Sequence, residues 1–147
     1  TKGIYVLQCG DPKGDGTGGT DFTVPDENLP KADAGGTAVY ERGTVAMANK
    51  GPGTTGSQFF LVYEDSPLPP SYTVIGKVVQ GLDVLDKIAA AGTADGSDDG
   101  APKQPVQITE MIASYTASVE EWHEHRAGDR RGRFPRAQGR GGAVGPC

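Results

Sequence analysis

The chain has 147 residues with a hydrophobic fraction of 35%, 23 Gly, 11 Pro and a formal net charge of −5 at pH 7. This length fits a single domain with one small core, and the frequent glycine and proline exclude a helical bundle but suit short strands joined by turns. The acidic balance argues against nucleic-acid binding by the molecule as a whole.

The two parts of the chain differ in their basic residues. Residues 1–114 carry eight Lys and Arg against fifteen Asp and Glu, with Arg42 as the single arginine. Residues 115–147 carry six Arg, four Asp and Glu, and no Lys. We therefore predict one folded domain over 1–114 and an Arg/Gly-rich disordered tail over 115–147, without regular structure or contacts to the domain over 126–147. A weaker hypothesis is that this tail binds nucleic acid or acidic partners.

The two ends of the chain bear on its location and on the pairing of its cysteines. No run approaches the roughly 18 apolar residues of a membrane span, and the start at Thr1 is neither a signal peptide nor a natural initiating segment. We expect a segment upstream of Thr1, so an upstream membrane anchor is compatible with the sequence, and the cytoplasm is the default location. Cys9 and Cys147 are the two cysteines, and we predict no disulfide because Cys147 ends a glycine-rich segment that is difficult to dock.

Short apolar runs predict most of the secondary structure. Runs rich in β-branched and aromatic residues, bounded by turn residues, predict strands over 4–9, 43–48, 57–63 and 72–79. A last strand is predicted over 104–112, where apolar and polar residues alternate. Only residues 82–90 have helical spacing, with Gly92 placed to end the helix. The sequence therefore predicts an all-β fold with one short helix.

Two glycine-rich segments match ligand-binding motifs without meeting their other requirements. Residues 14–19 match GxGxxG, but Pro25 and acidic residues follow where a dinucleotide-binding helix should begin. Residues 95–100 begin like a calcium loop, but Val106 stands at the twelfth position, where a bidentate Glu is needed. Both histidines lie in the tail, so no hydrolytic centre is predicted. We expect no cofactor and no metal, which fits a reaction that needs neither a nucleophile nor a base.

Six short motifs occur in the order and at the spacing typical of one enzyme family. They are YVLQCGD (5–11), GTGG (16–19), DEN (26–28), MAN (47–49), GSQFF (56–60) and VIGKV (74–78). Over residues 3–113 the chain thus resembles the cyclophilin-type peptidyl-prolyl cis-trans isomerases, and segment 66–72 is most similar to actinobacterial members. The resemblance implies a cyclophilin-like antiparallel β-barrel that lacks the family's first strands and first helix. It also implies catalysis of X–Pro rotation in peptides and unfolded proteins, which are the expected partners.

The resemblance assigns roles in a proline-binding groove to nine residues. The apolar ones would contact the proline ring, with Phe60 as the floor of a pocket, Tyr5, Val6 and Leu68 as its walls, and Tyr72 at the rim, where many relatives have His. The others would contact the peptide, with Gln8 as a donor to the substrate carbonyl, Asn49 acting through its main chain, and Ala48 and Gln58 along the groove. Without the resemblance, the apolar residues are better interpreted as ordinary core and the Gln within a strand as solvent-facing.

Two departures from the family pattern concern activity and inhibitor binding. In the family a Phe-His-Arg type motif precedes the first predicted strand, and its Arg supplies a cation to the proline nitrogen, whereas the residues here are Thr1-Lys2-Gly3. We interpret Arg42 as a solvated surface charge and expect slower isomerisation than in a chain extended at its amino terminus. A proline-peptide-binding module with negligible turnover is the alternative hypothesis. Pro67 falls near where some relatives have Trp, which implies a weakened affinity for cyclosporin.

Overall fold

The computed structural model describes residues 3–114, 139, 140 and 147, and these form short strands and one helix. In chain order the elements are β1 (Val6–Cys9), β2 (Ala38–Tyr40), β3 (Thr44–Met47), β4 (Phe59–Val62), β5 (Ser66–Leu68), β6 (Val74–Lys77), α1 (Leu82–Ala91), β7 (Ile112–Ala113) and β8 (Gly139–Arg140). The described residues fall into two units, the first ending at 107 but including 147, and the second beginning at 108 and including 139 and 140. The first unit contains β1 to β6 and α1, and the second contains the antiparallel pair β7–β8. The boundary predicted at 114 stays a prediction.

Four strands of the first unit form one antiparallel sheet in the order β1–β4–β3–β6. All four residues of β4 are buried, since this strand lies inside the sheet, with Gln8 of β1 and Ala46 of β3 opposite its Phe60. Its sequence, FFLV, is a continuous apolar run, as expected for a strand covered on both faces. Among the described strands, β1 and β6 remain edges, so the sheet is open and no closed barrel forms. The predicted fold class, mostly strands with a single short helix, is confirmed.

A ribbon of two antiparallel strands, β2 and β5, packs against this sheet. Alternation turns Ala38, Tyr40 and Leu68 inward, while Val39 and Pro67 face solvent. Proline is tolerated in β5 because a strand at the edge of a sheet can leave a residue unpaired. The inward side chains form the buried core together with three residues of the main sheet, Ala46, Phe60 and Val62. The contact between ribbon and sheet therefore organises the first unit.

The helix α1 has ten residues and lies between two glycines. Gly81 and Gly92 both have positive φ, 96° and 76°, a conformation that glycine adopts without a side-chain clash. Leu85 is the buried residue of the helix, so the apolar stripe makes only a narrow contact. In the described part of the chain, no helix is long and apolar enough to cross a membrane.

Arg42 connects the turn before β3 to this helix. Its guanidinium donates to both carboxylate oxygens of Asp86, at 2.7 and 2.8 Å, and also to the backbone carbonyl of Tyr63. The side-chain hydrogen bonds between Arg42 and Asp86 raise the pKa of Arg42 and lower the pKa of the Asp86 carboxyl. The interpretation of Arg42 as a surface charge agrees with its side chain, which is 40% exposed. The sequence does not indicate that this charge is paired, and the planar donor fork is held by Asp86 and the Tyr63 carbonyl.

Most of the predicted elements are confirmed, with shorter strands than the apolar runs suggest. The strands over 4–9, 43–48, 57–63 and 72–79 and the helix over 82–90 are all present. Sequence patterns do not predict β2 and β5, which are three residues each. The strand predicted over 104–112 is wrong for most of its length, since only Ile112 belongs to a strand, β7. Alternating apolar and polar residues predict which side chains are buried, but a strand also needs a neighbouring strand and backbone N–H donors. Pro105 has no backbone N–H.

The cysteines contradict the sequence-based expectation, since Cys9 and Cys147 form a disulfide across 138 residues. Cys9 ends β1 and is only 1% exposed, and the last residue is docked beside it because the Cys147 N–H donates to the Val106 carbonyl at 3.1 Å. The predicted absence of structure and contacts over 126–147 is likewise wrong at its described positions, since Gly139–Arg140 forms β8 and Cys147 is cross-linked. The remainder of that segment lies outside the described residues.

Reduction of this disulfide is expected to lower the free energy of unfolding by on the order of 4 kcal/mol, because the cross-link restricts a very long loop in the unfolded chain. Urea unfolding with and without dithiothreitol measures the difference. Cys147→Ser is the control, since it should unfold at the reduced midpoint under both conditions. Equal midpoints for the oxidised and reduced protein would contradict the assignment.

Candidate functional site

One cavity of about 790 Å³ opens along the main sheet of the first unit. Eight of the nine predicted site residues line it, namely Val6, Gln8, Ala48, Asn49, Gln58, Phe60, Leu68 and Tyr72. They come from β1, β4, β5 and the segments after β3 and β5, so the fold gathers residues that are far apart in sequence.

Tyr5 is the exception among the described residues. It is missing from the lining of the cavity, and its ring packs edge-on against Tyr63 with the ring centroids 6.0 Å apart. Successive residues of a strand point to opposite faces, so Val6 and Gln8 reach the cavity while Tyr5 and Leu7 point away from it. The expected role of Tyr5 as a pocket wall is thus not supported by its position.

Aromatic rings form the apolar end of the cavity. Phe60 is 4% exposed, and the ring of Tyr72 meets it edge-on with centroids 5.4 Å apart and planes at 88°. The ring of Tyr40 lies 6.1 Å from both. Edge-to-face packing is favourable because the positive ring edge meets a negative face. Phe60 is therefore packed against two rings at the base of the apolar end.

Tyr40 is a supporting residue that the sequence analysis does not identify. It is 2% exposed, and its hydroxyl lies 3.1 Å from the Pro69 carbonyl oxygen and 3.3 Å from the Tyr72 carbonyl oxygen. The same hydroxyl accepts the backbone N–H of Tyr72 at 3.1 Å. Burial raises the pKa of Tyr40. Its one local signal is the short alternating run Ala38–Tyr40 after a pair of glycines, which is too short to predict a strand with assurance.

Amide groups form the polar edge of the cavity. Gln8 Nε2 donates to Gln58 Oε1 at 2.5 Å, and Gln58 Nε2 donates to the carbonyl oxygens of Gly16 and Gly18 at 3.1 and 2.6 Å. The side chain of Asn49 is engaged within the protein, since Nδ2 donates to the Ser71 carbonyl at 2.7 Å. Asn49 Oδ1 also accepts the backbone N–H of Gly51 at 3.2 Å, so both ends of this amide have partners within the protein.

The glycine-rich loop at this edge is organised by Asp11, a second residue that the sequence analysis does not identify. Asp11 is 6% exposed, and its carboxylate accepts backbone N–H groups of Lys13, Asp15 and Gly16. An Asp followed by Pro and several Gly is a general turn signal, but it does not indicate which side chain the loop will contact. The loop thus supports the cavity edge through its contacts with Asp11 and Gln58.

Tyr40→Phe is expected to lower the free energy of unfolding by about 1–2 kcal/mol, because it leaves the Tyr72 N–H and a carbonyl without their buried partner. Urea unfolding measures the change. Tyr63→Phe is the matched control, since the Tyr63 hydroxyl has no hydrogen bond to another described residue, and it should cost much less. Equal losses in the two variants would contradict the role given to the Tyr40 hydroxyl.

Comparison with known proteins finds relatives in one enzyme family. Residues 2–113 match the family model of the cyclophilin type peptidyl-prolyl cis-trans isomerase/CLD. The chain is 53% identical over 118 residues to the probable peptidyl-prolyl cis-trans isomerase B of Mycobacterium tuberculosis, covering 74% of this chain and 38% of that protein. A protein of the same name from Mycobacterium leprae is 53% identical over 117 residues, covering 74% and 39%. Peptidyl-prolyl cis-trans isomerase-like 3 of Gallus gallus is 42% identical over 85 residues, covering 57% and 52%. The chain thus spans well under half the length of its mycobacterial relatives.

Proposed function

Because this chain belongs to the cyclophilin-type peptidyl-prolyl cis-trans isomerase family, we propose that it accelerates cis/trans rotation about X–Pro bonds in peptides and unfolded proteins. The observation that carries the proposal is the cavity itself, where Phe60, Leu68 and Tyr72 form an apolar end and Gln8 lies at a polar edge. An apolar pocket bordered by a few directed polar groups is suited to a proline ring and its flanking amides.

The reaction needs little from the protein beyond binding and orientation. Rotation about X–Pro faces a barrier of roughly 20 kcal/mol, because amide resonance is lost when the bond twists. A site that holds the ring on one side of the bond and the backbone on the other favours the twisted amide over the planar one. The apolar end of the cavity would hold the proline ring, and the amide groups at its polar edge would hold the backbone.

Gln8 is the residue best situated to hold the substrate carbonyl. One of its two amide hydrogens is donated to Gln58, and the side chain is otherwise exposed at the mouth of the cavity. The second hydrogen is directed away from Gln58 and can be donated to a peptide carbonyl. The main chain of Asn49 would add a second contact, with Ala48 and Gln58 along the groove.

Arg42 is not proposed as the cation for the proline nitrogen. Its guanidinium is occupied by Asp86 and by the Tyr63 carbonyl, and it is missing from the described lining of the cavity. Binding without turnover remains the competing function. The names of the relatives, each a peptidyl-prolyl cis-trans isomerase, support turnover over binding alone.

Weak binding of cyclosporin is part of the proposal. Pro67 is exposed on β5 and has neither a side-chain donor nor a backbone N–H. A relative with Trp near this position offers an indole N–H that Pro67 cannot replace. We therefore expect cyclosporin to bind less tightly than it does to relatives with that Trp.

Phe60→Ala is expected to weaken binding of a proline peptide by on the order of 3 kcal/mol, or more than a hundredfold in Kd, because it removes the base of the apolar end. Titration of the labelled protein with the peptide, followed by NMR, measures the loss.

Leu61→Ala is the matched control for this test. Leu61 is buried in the same strand but is not among the described residues that line the cavity. Its truncation should destabilise the fold by a similar amount and leave peptide binding unchanged. Unchanged binding in folded Phe60→Ala, or equal losses in both variants, would refute the assignment of the pocket.

A further inference from the structure

Asp11 is connected to Gln8 by a chain of hydrogen bonds along the polar edge of the cavity. We propose that Asp11 positions the Gln8 amide for the substrate, acting through the loop of residues 13–18 and the side chain of Gln58. The inference rests on the proposed function, in which Gln8 donates to the substrate carbonyl. Asp11 is missing from the described lining of the cavity, so it is a positioning residue.

The first step is the hold of Asp11 on the loop. One carboxylate oxygen accepts the N–H of Lys13 at 2.8 Å, and the other accepts those of Asp15 and Gly16 at 3.0 and 2.6 Å. Burial would raise the pKa of Asp11, but these backbone donors, with that of Gly18, outweigh burial and lower it. The carboxylate stays ionised at neutral pH, and an ionised carboxylate only accepts hydrogen bonds. The loop backbone is therefore folded around a fixed acceptor.

The second step is the orientation of Gln58. Folding the loop around Asp11 directs the carbonyl oxygens of Gly16 and Gly18 at Gln58. A carbonyl oxygen can only accept, so Gln58 must present its NH₂ group to the loop. Gln58 is only 9% exposed, and the opposite orientation would place its Oε1 against two carbonyl oxygens that cannot donate. The two loop carbonyls thus decide which end of this amide faces Gln8.

The third step is the orientation of Gln8. Because the NH₂ group of Gln58 donates to the loop, only its Oε1 faces Gln8. Gln8 therefore donates from Nε2 to this oxygen, at 2.5 Å. If Gln58 were free to rotate its amide by 180°, it would offer a donor instead, and Gln8 would turn its own oxygen inward. The Asp11 carboxylate therefore determines which group donates and which accepts in each hydrogen bond between the loop, Gln58 and Gln8.

The structure offers two ways to break this chain and a control for each. Asp11→Asn replaces one of the two carboxylate oxygens that accept the loop N–H groups by an NH₂ donor. Its control is Asp33→Asn, since the Asp33 carboxylate also folds a turn, accepting N–H groups of Gly35 and Thr37 at 2.8 and 2.9 Å, but lies outside the cavity lining in the described chain. Gly18→Ala would bring its new Cβ within 1.9 Å of an Asp11 oxygen, forcing the carboxylate to move. Its control is Gly19→Ala, whose Cβ would meet no atom within 4 Å.

Two measurements distinguish positioning from general stabilisation. The side-chain amide signals of Gln8 in the ligand-free protein should shift in Asp11→Asn and Gly18→Ala and stay in place in Asp33→Asn and Gly19→Ala. In an isomerase assay, Asp11→Asn should raise KM about tenfold, because a misdirected Gln8 no longer anchors the substrate. A merely structural role would lower the folded fraction and hence the apparent kcat, leaving KM unchanged. Asp33→Asn should leave both constants unchanged.

The outcomes separate this inference from the proposed function. Unshifted Gln8 signals in folded Asp11→Asn and Gly18→Ala would overturn the inference, as would an unchanged KM in the first variant. If Asp11→Asn does not fold, Gly18→Ala decides the question by the same signals. If the wild-type protein has no isomerase activity but the Gln8 signals still shift in Asp11→Asn and Gly18→Ala, the positioning role of Asp11 is upheld and the proposed function alone is refuted.

Discussion

The packing of Phe60 against Tyr40 and Tyr72 is the contact on which the rest of the first unit depends. Phe60 belongs to β4, one of the two inner strands of the main sheet, whereas Tyr40 belongs to the two-stranded ribbon. Their rings, 6.1 Å apart, join the two layers, and the Tyr40 hydroxyl holds the segment that carries Tyr72. One aromatic cluster thus closes the core and forms the base of the cavity. Stability and proline binding therefore share the same side chains, which makes this part of the molecule sensitive to truncation.

The side chains at the polar edge of the cavity are oriented by the pairing of hydrogen-bond donors with acceptors more than by charge. A buried carboxylate folds a glycine-rich loop, the loop carbonyls orient one glutamine, and that glutamine orients a second at the cavity mouth. Each side-chain amide has a donor end and an acceptor end, and which end faces the substrate cannot be predicted from a sequence motif. The cavity combines an apolar grip with a preset donor, and this combination suits a reaction in which the protein holds a bond in a twisted state.

Local signals in the sequence predict β1, β3, β4, β6 and α1, because each has an apolar run or helical spacing of its own. The ribbon is different, since Ala38 pairs with Leu68 across thirty positions and β5 contains a proline, so neither strand is recognisable without its partner. The same reason explains the residues that sequence reasoning does not identify. Tyr40 and Asp11 act through contacts with distant backbone groups, and the disulfide of Cys9 depends on where the last residue is docked. The resemblance to a family supplied eight residues that line the cavity, whereas Tyr5, the ninth, is missing from the lining.

Turnover of an X–Pro bond is the central claim, and exchange spectroscopy on a peptide with one such bond tests it most directly. Uncatalysed isomerisation takes tens of seconds at 25 °C, so the free peptide shows no exchange cross-peaks at mixing times of about one second. Substoichiometric amounts of this chain should produce cross-peaks between the cis and trans signals at that mixing time. Peptide signals that shift on binding while exchange stays at the uncatalysed rate would contradict the account and identify the chain as a proline-peptide-binding module.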